Sequence, residues 1–320
     1  LDDRHADNSV QTFSSLGRLY LERHARKHKS PRSIREDERI IARELVPKWG
    51  SRRITDIRRR DVIGLLDEIA DRPAPIMANR VRALVSKLFN FAISRDLLEA
   101  NPCAQVPRPG REEPRQRVLT DNELEALWGA FGKLGPIMGP MFKLRLLTLQ
   151  RGAEITSMRW EDIDHEDGWW TIPPERAKNR LAHRVPLSPQ ALTILRELVG
   201  YQHENGWAFP SPTRPAQHVA NIGKAVMRVK VISGIADYRP HDMRRTGASR
   251  LTGLGIPRLT VGKILNHVEN SVTAVYDRHS YDTEKRHALE AWGAYVERLV
   301  EYGEHTENVI PLPASEGTQR

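Results

Sequence analysis

The chain contains the segment His241-Asp242-Met243-Arg244-Arg245-Thr246, which is followed by Leu265-Asn266-His267 and then by Tyr276. His241 and Arg244 lie three residues apart in a segment that reads as helical, so both side chains leave the same face. Arginine offers a fixed charge and a fork of donors that fits phosphate oxygens, and histidine can donate a hydrogen bond or transfer a proton near neutral pH. The pair predicts a phosphate site, although the same spacing also occurs on many solvated helices.

The composition favours a polyanionic partner. With 320 residues and 39% hydrophobic residues, the chain is long enough for about two domains, each with its own core. Its formal net charge is +9. Such an excess of Lys and Arg is typical of nucleic-acid-binding proteins, and also of ribosome-associated and merely basic ones. We therefore expect a nucleic acid as the partner.

Several protein classes are excluded by what the sequence lacks. The single cysteine, Cys103, excludes an internal disulfide framework and a Cys-rich zinc site, and we interpret it as structurally incidental in a linker. No apolar run approaches the roughly 18 residues of a membrane span, and no signal peptide precedes the first helix. The prediction is a cytoplasmic protein with no membrane partner. Because the chain begins at Leu1 rather than Met, we also expect further sequence before it.

The N-terminal part is predicted to be entirely helical. Four stripes of apolar residues recur with helical spacing: Phe13, Leu16 and Tyr20; Ile34, Ile40, Ile41 and Leu45; Val62, Leu65, Leu66 and Ile69; and Val81, Leu84, Val85, Leu88, Phe89 and Ala92. Ser30-Pro31 predicts a helix start. Basic residues lie between and opposite these stripes and are candidates for DNA phosphate contacts, with a solvated surface as the alternative: Arg52, Arg53, Arg58, Arg59, Arg60, Arg80 and Lys87.

A Pro- and Arg-rich segment, at about residues 101–117, predicts an extended linker without a helix. Thr120 and Glu123 then form a capping box that starts a new helix. We place the domain boundary at about residue 112. This divides the chain into a helical domain (1–111), a second domain (112–302) and a flexible or partner-docking tail (303–320).

The second domain mixes helices with short strands. Two strands, Gly168 to Ile172 and Leu181 to Leu187, are joined by a turn that holds Lys178, and further helices are predicted over residues 139–150, 189–199, 217–231, 241–254, 257–266 and 284–302. The fold class is therefore mainly α with a small antiparallel β-sheet. His165 lies among five acidic residues, but the spacing fits a solvated loop rather than a known metal motif, so no metal site is predicted.

A set of residues in the second domain, taken in their order along the chain, resembles the pattern of the tyrosine recombinase (phage integrase) family. The matching positions span residues 118–290: Arg151 with Glu154, Lys178 before Arg184-Val185-Pro186-Leu187-Ser188, His241 with Arg244, Leu265-x-His267, and Tyr276. Each signal is weak alone, whereas six in one order are specific. Gln150, Gly152 and Asn266 depart from the commonest family residues without touching a catalytic position. The helical N-terminal part resembles the core-binding domain of the family, with little motif content.

The resemblance implies a site-specific recombinase that integrates or excises a mobile element. It implies a core-binding domain and an α+β catalytic domain of the tyrosine recombinase type, which form a C-shaped clamp on duplex DNA at a specific attachment site. Cleavage would occur in a homo-tetramer on synapsed sites, and an accessory DNA-bending or directionality factor is left open. Two alternatives stay open as well: DNA relaxation of the type IB topoisomerase kind, and a DNA-binding module without catalysis.

The chemistry assigns a role to each matching position without a metal or other cofactor. Tyr276 would attack the phosphate and keep the bond energy in a 3′-phosphotyrosine. Arg151 and Arg244 would clamp the non-bridging oxygens. His241 would exchange protons near the phenol, and His267 would donate a hydrogen bond to a phosphate oxygen. Lys178 would protonate the leaving 5′-oxygen, and Glu154 would orient a neighbouring basic group. Tyr281 is interpreted as a packing or capping residue.

Overall fold

The computed structural model describes residues 11–72, 75–201, 204–214, 216–267 and 279–303. The chain divides into two compact units, Leu1–Arg115 and Gln116–Arg320, and each unit has its own hydrophobic core. The division falls close to the predicted boundary at residue 112. Apart from Gly303, the predicted tail lies outside the described residues. Within the described ranges, no helix is both long and apolar enough to cross a membrane.

The first unit is built from helices, as predicted. Helix α1 comprises Phe13–Tyr20, a π-helical turn Leu21–Ala25 and Arg26–His28; α2 comprises Pro31–Ile40, a second π-helical turn Ile41–Leu45 and Val46–Trp49; α3 is Arg59–Asp71 and α4 is Pro75–Ile93, with a 3₁₀ turn at Ile54–Asp56. Ser30 caps α2 by accepting from the amide of Ser33 at 3.3 Å, which confirms the predicted start. The predicted apolar stripes are buried, with Ile34 partly so.

The first half of the predicted linker packs onto α4 instead of extending freely. It contains no helix, as expected, but Cys103 and Val106 are buried in the core of the first unit. Arg82 Nε donates to the Val106 carbonyl at 2.6 Å, and Asn79 forms hydrogen bonds to both backbone groups of Gly110, at 2.8 and 3.1 Å. The interpretation of Cys103 as structurally incidental was wrong, because Cys103 and Val106, which lie between the prolines, pack into the core of the first unit.

The second unit places helices around a three-stranded antiparallel sheet of order β1-β2-β3. The strands are β1 (Ile163–Asp164), β2 (Trp169–Ile172) and β3 (His183–Pro186), and the helices are α5 (Asp121–Gly132), α6 (Met138–Thr148), α7 (Gly152–Thr156), α8 (Pro189–Leu198), α9 (Gly223–Ser233), α10 (Pro240–Gly253), α11 (Arg258–Ile264) and α12 (Asp282–Tyr302). Short 3₁₀ turns occur at Trp160–Asp162 and Val199–Tyr201. The predicted mainly α fold with a small antiparallel sheet is confirmed.

Local signals located most element ends in this unit correctly. The capping box is present: Thr120 Oγ1 accepts from the Glu123 amide at 3.3 Å, and Glu123 Oε2 accepts from the Thr120 amide at 2.9 Å. The helix predicted from residue 217 begins only at Gly223, because Val219 still pairs with the Phe209 carbonyl at 2.9 Å. Strand β1 was not predicted, since two residues are too few to make a pattern.

Packing around Leu149 sets the position of the chain that leads into Arg151. Helix α6 ends at Thr148, and Leu149 adopts a left-handed backbone with φ 57°. Its fully buried side chain fills the space beside Gly247 on α10, where an added Cβ would lie 2.2 Å from Leu149 Cδ2. Non-glycine residues adopt this backbone only at an energetic cost, so the close packing against Gly247 is needed to hold it.

We expect Gly247→Ala to lower the free energy of unfolding by about 1–3 kcal/mol, because the new methyl group over-packs a closed core. Gly129→Ala is the matched control: Gly129 lies inside α5 with nothing within 4 Å of an added Cβ, so alanine should stabilise the helix by about 0.5–1 kcal/mol. Urea unfolding of the whole chain measures both. A neutral Gly247→Ala variant would contradict the packing described above.

Candidate active site

Arg151 and Glu154 form the first element of the candidate site. Arg151 is the N-cap of the short helix α7, and its amide donates to Glu154 Oε2 at 3.0 Å while its Nη1 donates to Glu154 Oε1 at 3.1 Å. Glu154 is only 2% exposed. Arg151 Nη2 reaches the backbone carbonyl of Asn266 at 3.2 Å. The buried carboxylate therefore holds the guanidinium in one orientation, beside the turn that precedes His267.

Arg244 forms the second element and is 4% exposed on α10. Its Nη1 donates to the Leu149 carbonyl at 2.5 Å, and its Nη2 donates to the Leu265 carbonyl. Burial and the neighbouring charge of Arg151 lower the pKa of Arg244 to about 10, so it remains a cation at neutral pH. Arg151 and Arg244 are thus both anchored on consecutive carbonyls of one turn, those of Asn266 and Leu265.

The two histidines lie on the exposed side of this arrangement. Partial burial of the ring, followed by the charges of Arg245 and Arg244, lowers the pKa of His241 to about 4. For His267, partial burial followed by the charges of Arg244 and Arg151 lowers the pKa as well. Both imidazoles are therefore neutral at pH 7 in the free protein, and each can accept one hydrogen bond or proton and donate another.

Lys178 lies in the loop between β2 and β3, as predicted. Its side chain is exposed, and its amide lies 3.5 Å from Glu154 Oε1, the carboxylate that holds Arg151. The next residue, Asn179, is hydrogen-bonded to Asn266, the residue before His267. The loop that carries Lys178 is therefore hydrogen-bonded to the same turn whose carbonyls accept from Arg151 and Arg244.

Three buried polar residues near the site were given no functional role in the sequence analysis. Gln150 Nε2 and His183 Nε2 both lie within hydrogen-bond distance of the Ile264 carbonyl, at 3.0 and 3.1 Å, and burial lowers the pKa of His183 to about 4. Arg145, 8% exposed, packs on Gly152, where a Cβ would meet its Nη1 at 2.7 Å. Their signal is polarity within otherwise apolar segments, which alone does not identify partners distant in the chain.

Tyr276, the predicted nucleophile, lies outside the described residues. Tyr281 is described, and it precedes α12 with a left-handed backbone of φ 56°. The Lys263 ammonium lies 4.8 Å from the centre of its ring, and the His279 ring contacts it edge-on at 4.7 Å. These contacts agree with the interpretation of Tyr281 as a packing residue at the start of the last helix.

The basic candidates of the first unit are divided between protein partners and solvent. Arg52 is half-buried and forms an ion pair with Asp61 at 3.1 Å, and Arg59 donates to the Gln105 carbonyl at 3.1 Å. Arg80 lies 4.0 Å from Glu36. The side chains of the other candidates are exposed: Arg53, Arg58, Arg60 and Lys87. Among the described residues, no group of His, Cys, Asp and Glu could hold a metal ion.

We expect the imidazole of His241 in the free protein to titrate with a midpoint near pH 4, as followed by NMR of labelled histidine. Arg245→Gln should move the midpoint upward, because Arg245 is the neighbouring charge that disfavours the imidazolium most. Arg196→Gln, on the exposed side of α8, is the control and should leave it unchanged. A midpoint near 6.5 would contradict the burial and charge arrangement around the ring.

Comparison with known proteins matches both units. The Phage integrase family matches residues 117–283, more than half of the chain, and the Phage integrase central domain matches residues 13–108. Prophage integrase IntZ of Escherichia coli (strain K12) is 29% identical over 268 residues, which cover 81% of this chain and 65% of IntZ. A shufflon-specific DNA recombinase of Escherichia coli is 30% identical over 249 residues, covering 75% and 59%.

Solved structures share the fold at low sequence identity. A lambda integrase dimer bound to a COC′ core site superposes with a TM-score of 0.66 at 19% identity, covering 81% of this chain and 96% of that one. The Tn1549 transposon integrase in complex with circular intermediate DNA gives 0.69 at 15%, covering 88% and 99%. The chain spans 65% and 63% of the length of the prophage integrases IntZ and IntA. By its family match and its fold, this chain belongs to the phage integrase family of tyrosine recombinases.

Proposed function

We propose that this protein is a site-specific DNA recombinase that cuts and rejoins duplex DNA through a 3′-phosphotyrosine intermediate, and that it integrates or excises a mobile element. One observation carries the proposal. Arg151 and Arg244, which are 93 positions apart in the sequence, are anchored on the consecutive carbonyls of Asn266 and Leu265, directly before His267. Three segments that are distant in the sequence therefore bring two arginines to one turn, and their charges can bind the oxygens of a phosphate.

The two guanidinium groups suit the reaction because they favour the charge that develops at phosphorus. A tyrosine with an ordinary pKa of about 10 is roughly one part in a thousand ionised at pH 7, a deficit near 4 kcal/mol. Fixed cations that bind the non-bridging oxygens offset it, because they stabilise the transition state more than the ground state. Arg151 and Arg244 are already held by Glu154 and by backbone carbonyls, so little reorganisation is needed when the phosphate arrives.

The protonation states of the histidines fit proton transfer. A neutral His241 can accept a proton from the attacking phenol, and an imidazole whose pKa lies near 4 in the free protein becomes more basic when the negative phosphate binds beside it. A neutral His267 can donate its N–H to a phosphate oxygen. Lys178, on the β2–β3 loop, would protonate the leaving 5′-oxygen, which would otherwise depart as a strongly basic alkoxide.

The partner would be duplex DNA with a specific attachment site, bound by a homo-tetramer on two synapsed sites. The net charge of +9 supports DNA binding through phosphate contacts, and the exposed basic residues Arg53, Arg58, Arg60 and Lys87 are candidates for such contacts in the first unit. The solved relatives support the assembly by analogy: lambda integrase is known as a dimer on a core site and as a tetramer bound to a Holliday junction. An accessory DNA-bending or directionality factor fits the same scheme.

The nucleophile is tested with a nicked suicide duplex that carries the site footprinted by the protein in the DNA flanking its own gene. With EDTA present, the wild-type protein should form a covalent adduct, because cationic side chains rather than a metal stabilise the charge. Tyr276→Phe should abolish the adduct and leave DNA binding intact. Tyr281→Phe is the matched control and should still form it, since its ring packs against Lys263 and His279. An adduct lost only with Tyr281→Phe would overturn the assignment.

The role of Lys178 is tested by changing the leaving group. Lys178→Ala should slow cleavage of the ordinary phosphodiester by about 10²–10⁴-fold, the range for loss of a general acid. With a bridging 5′-thiolate substrate, whose leaving group needs no proton, the variant should react at nearly the wild-type rate. Arg180→Ala, two residues away in the same exposed loop, is the control and should slow neither. Equal slowing of both substrates by Lys178→Ala would remove Lys178 from this role.

A further inference from the structure

Asn179 and Asn266 form a reciprocal pair of side-chain hydrogen bonds across 87 residues of sequence. Asn179 Nδ2 donates to Asn266 Oδ1 at 2.7 Å, and Asn266 Nδ2 donates to Asn179 Oδ1 at 3.3 Å. Asn179 Nδ2 also lies 3.4 Å from the Asn266 carbonyl oxygen. Both side chains are only partly exposed. The pair connects the β2–β3 loop to the turn after α11.

The two asparagines are direct neighbours of residues in the candidate site. Asn179 follows Lys178, and Asn266 precedes His267. The carbonyl of Asn266 also accepts from Arg151 Nη2 at 3.2 Å, so this single peptide group is within reach of Arg151 and Asn179 at once. Asn266 has a left-handed backbone with φ 48°, which asparagine tolerates better than most other non-glycine residues.

We propose that Asn179 and Asn266 act as positioning residues, a latch that fixes the Lys178 loop against the turn carrying His267. The inference rests on the recombinase function proposed above, in which Lys178 protonates the leaving oxygen. It adds a requirement: the hydrogen bonds between these two side-chain amides hold Lys178 near the phosphate that Arg151 and Arg244 would bind, although neither amide acts on the phosphate or the leaving group itself.

The latch is needed because Lys178 itself has little to hold it in place. Its side chain is exposed and long, and its own backbone contact with Glu154 is 3.5 Å, at the limit of a hydrogen bond. Earlier in the loop, Arg176 is paired with Asp162 and Ala177 is buried, so the base of the loop is fixed. After Lys178, the hydrogen bonds from Asn179 to Asn266 hold this part of the loop against the turn that precedes His267. An acid that is misplaced by even 1 Å loses much of its effect.

A purely local role for Asn179 makes a different prediction. Asn179 Oδ1 also accepts from the Leu181 amide at 3.2 Å, which is a turn-stabilising bond within the loop. Asn179→Ala removes this bond together with the latch. Asn266→Gly removes both side-chain hydrogen bonds of the latch, but it leaves the local turn intact and suits the left-handed backbone. The two variants therefore separate positioning from local stability.

The experiment measures single-turnover adduct formation by the full chain on the suicide duplex, with either a 5′-oxygen or a bridging 5′-thiolate leaving group. Asn179→Ala and Asn266→Gly should each slow the 5′-oxygen reaction about tenfold or more and the 5′-thiolate reaction less than about threefold, since only the former needs the acid. The double variant should be no slower than the slower single variant, because each single variant already removes the same pair of hydrogen bonds. Asn221→Ala, which loses only a local bond to the Gly223 amide, is the control and should change neither rate.

Two results would overturn the latch. One is equal slowing of both substrates by Asn266→Gly, and the other is a double variant whose loss is the product of the two single losses. Should Asn179→Ala fail to fold, Asn266→Gly alone still gives the ratio of the two leaving groups. Failure of the proposed function looks different: a wild-type protein that forms no Tyr276-dependent adduct on either substrate removes the recombinase reaction, and the latch with it.

Discussion

The structure of the second unit depends on how it stabilises one buried cation. Arg244 is almost completely enclosed, and within the described part of the chain its guanidinium donates to the carbonyls of Leu149 and Leu265 rather than to a carboxylate. Burying an unpaired charge costs several kcal/mol unless donors and acceptors are matched. The chain provides the acceptors by turning its backbone toward Arg244 at two places, and both turns continue directly into residues of the candidate site: the first leads to Arg151 and the second to His267.

Each of those two turns contains a residue with an unfavourable backbone conformation. Leu149 and Asn266 both have positive φ, and a left-handed leucine is unusual. Leu149 is held by close packing against Gly247, whereas Asn266 is held by its bonds to Asn179. Strain concentrates at functional sites when the surrounding structure over-determines it. Core packing holds the backbone of Leu149, and polar contacts hold the backbone of Asn266. Because Arg244 donates to the carbonyls of Leu149 and Leu265, it links the packing of the core to the geometry of the candidate site.

Much of this arrangement could be predicted from the sequence because its signals are local. The His241–Arg244 spacing, the capping boxes and the strand turn around Lys178 each depend on residues a few positions apart. What could not be predicted depends on distant partners: the burial of Cys103 against α4, the late start of α9, and the Asn179–Asn266 pair. The residue identity at position 266 was visible as a departure from the family pattern, but its partner was not, since one sequence contains no information on contacts 87 residues apart.

The charge at the site explains why these contacts must be rigid. The charge of Arg151 lies close enough to Arg244 to disfavour the cationic form of Arg244, and Glu154 offsets only part of this effect. Arg145 adds a third cation behind Gly152, with its Nε unpaired within the described part of the chain. A site with excess positive charge would relax by moving its arginines into solvent if they were free to do so. Because carbonyls and a buried carboxylate hold them, the repulsion is retained. In the proposed reaction, a phosphate that gains negative charge would relieve this repulsion most in the transition state.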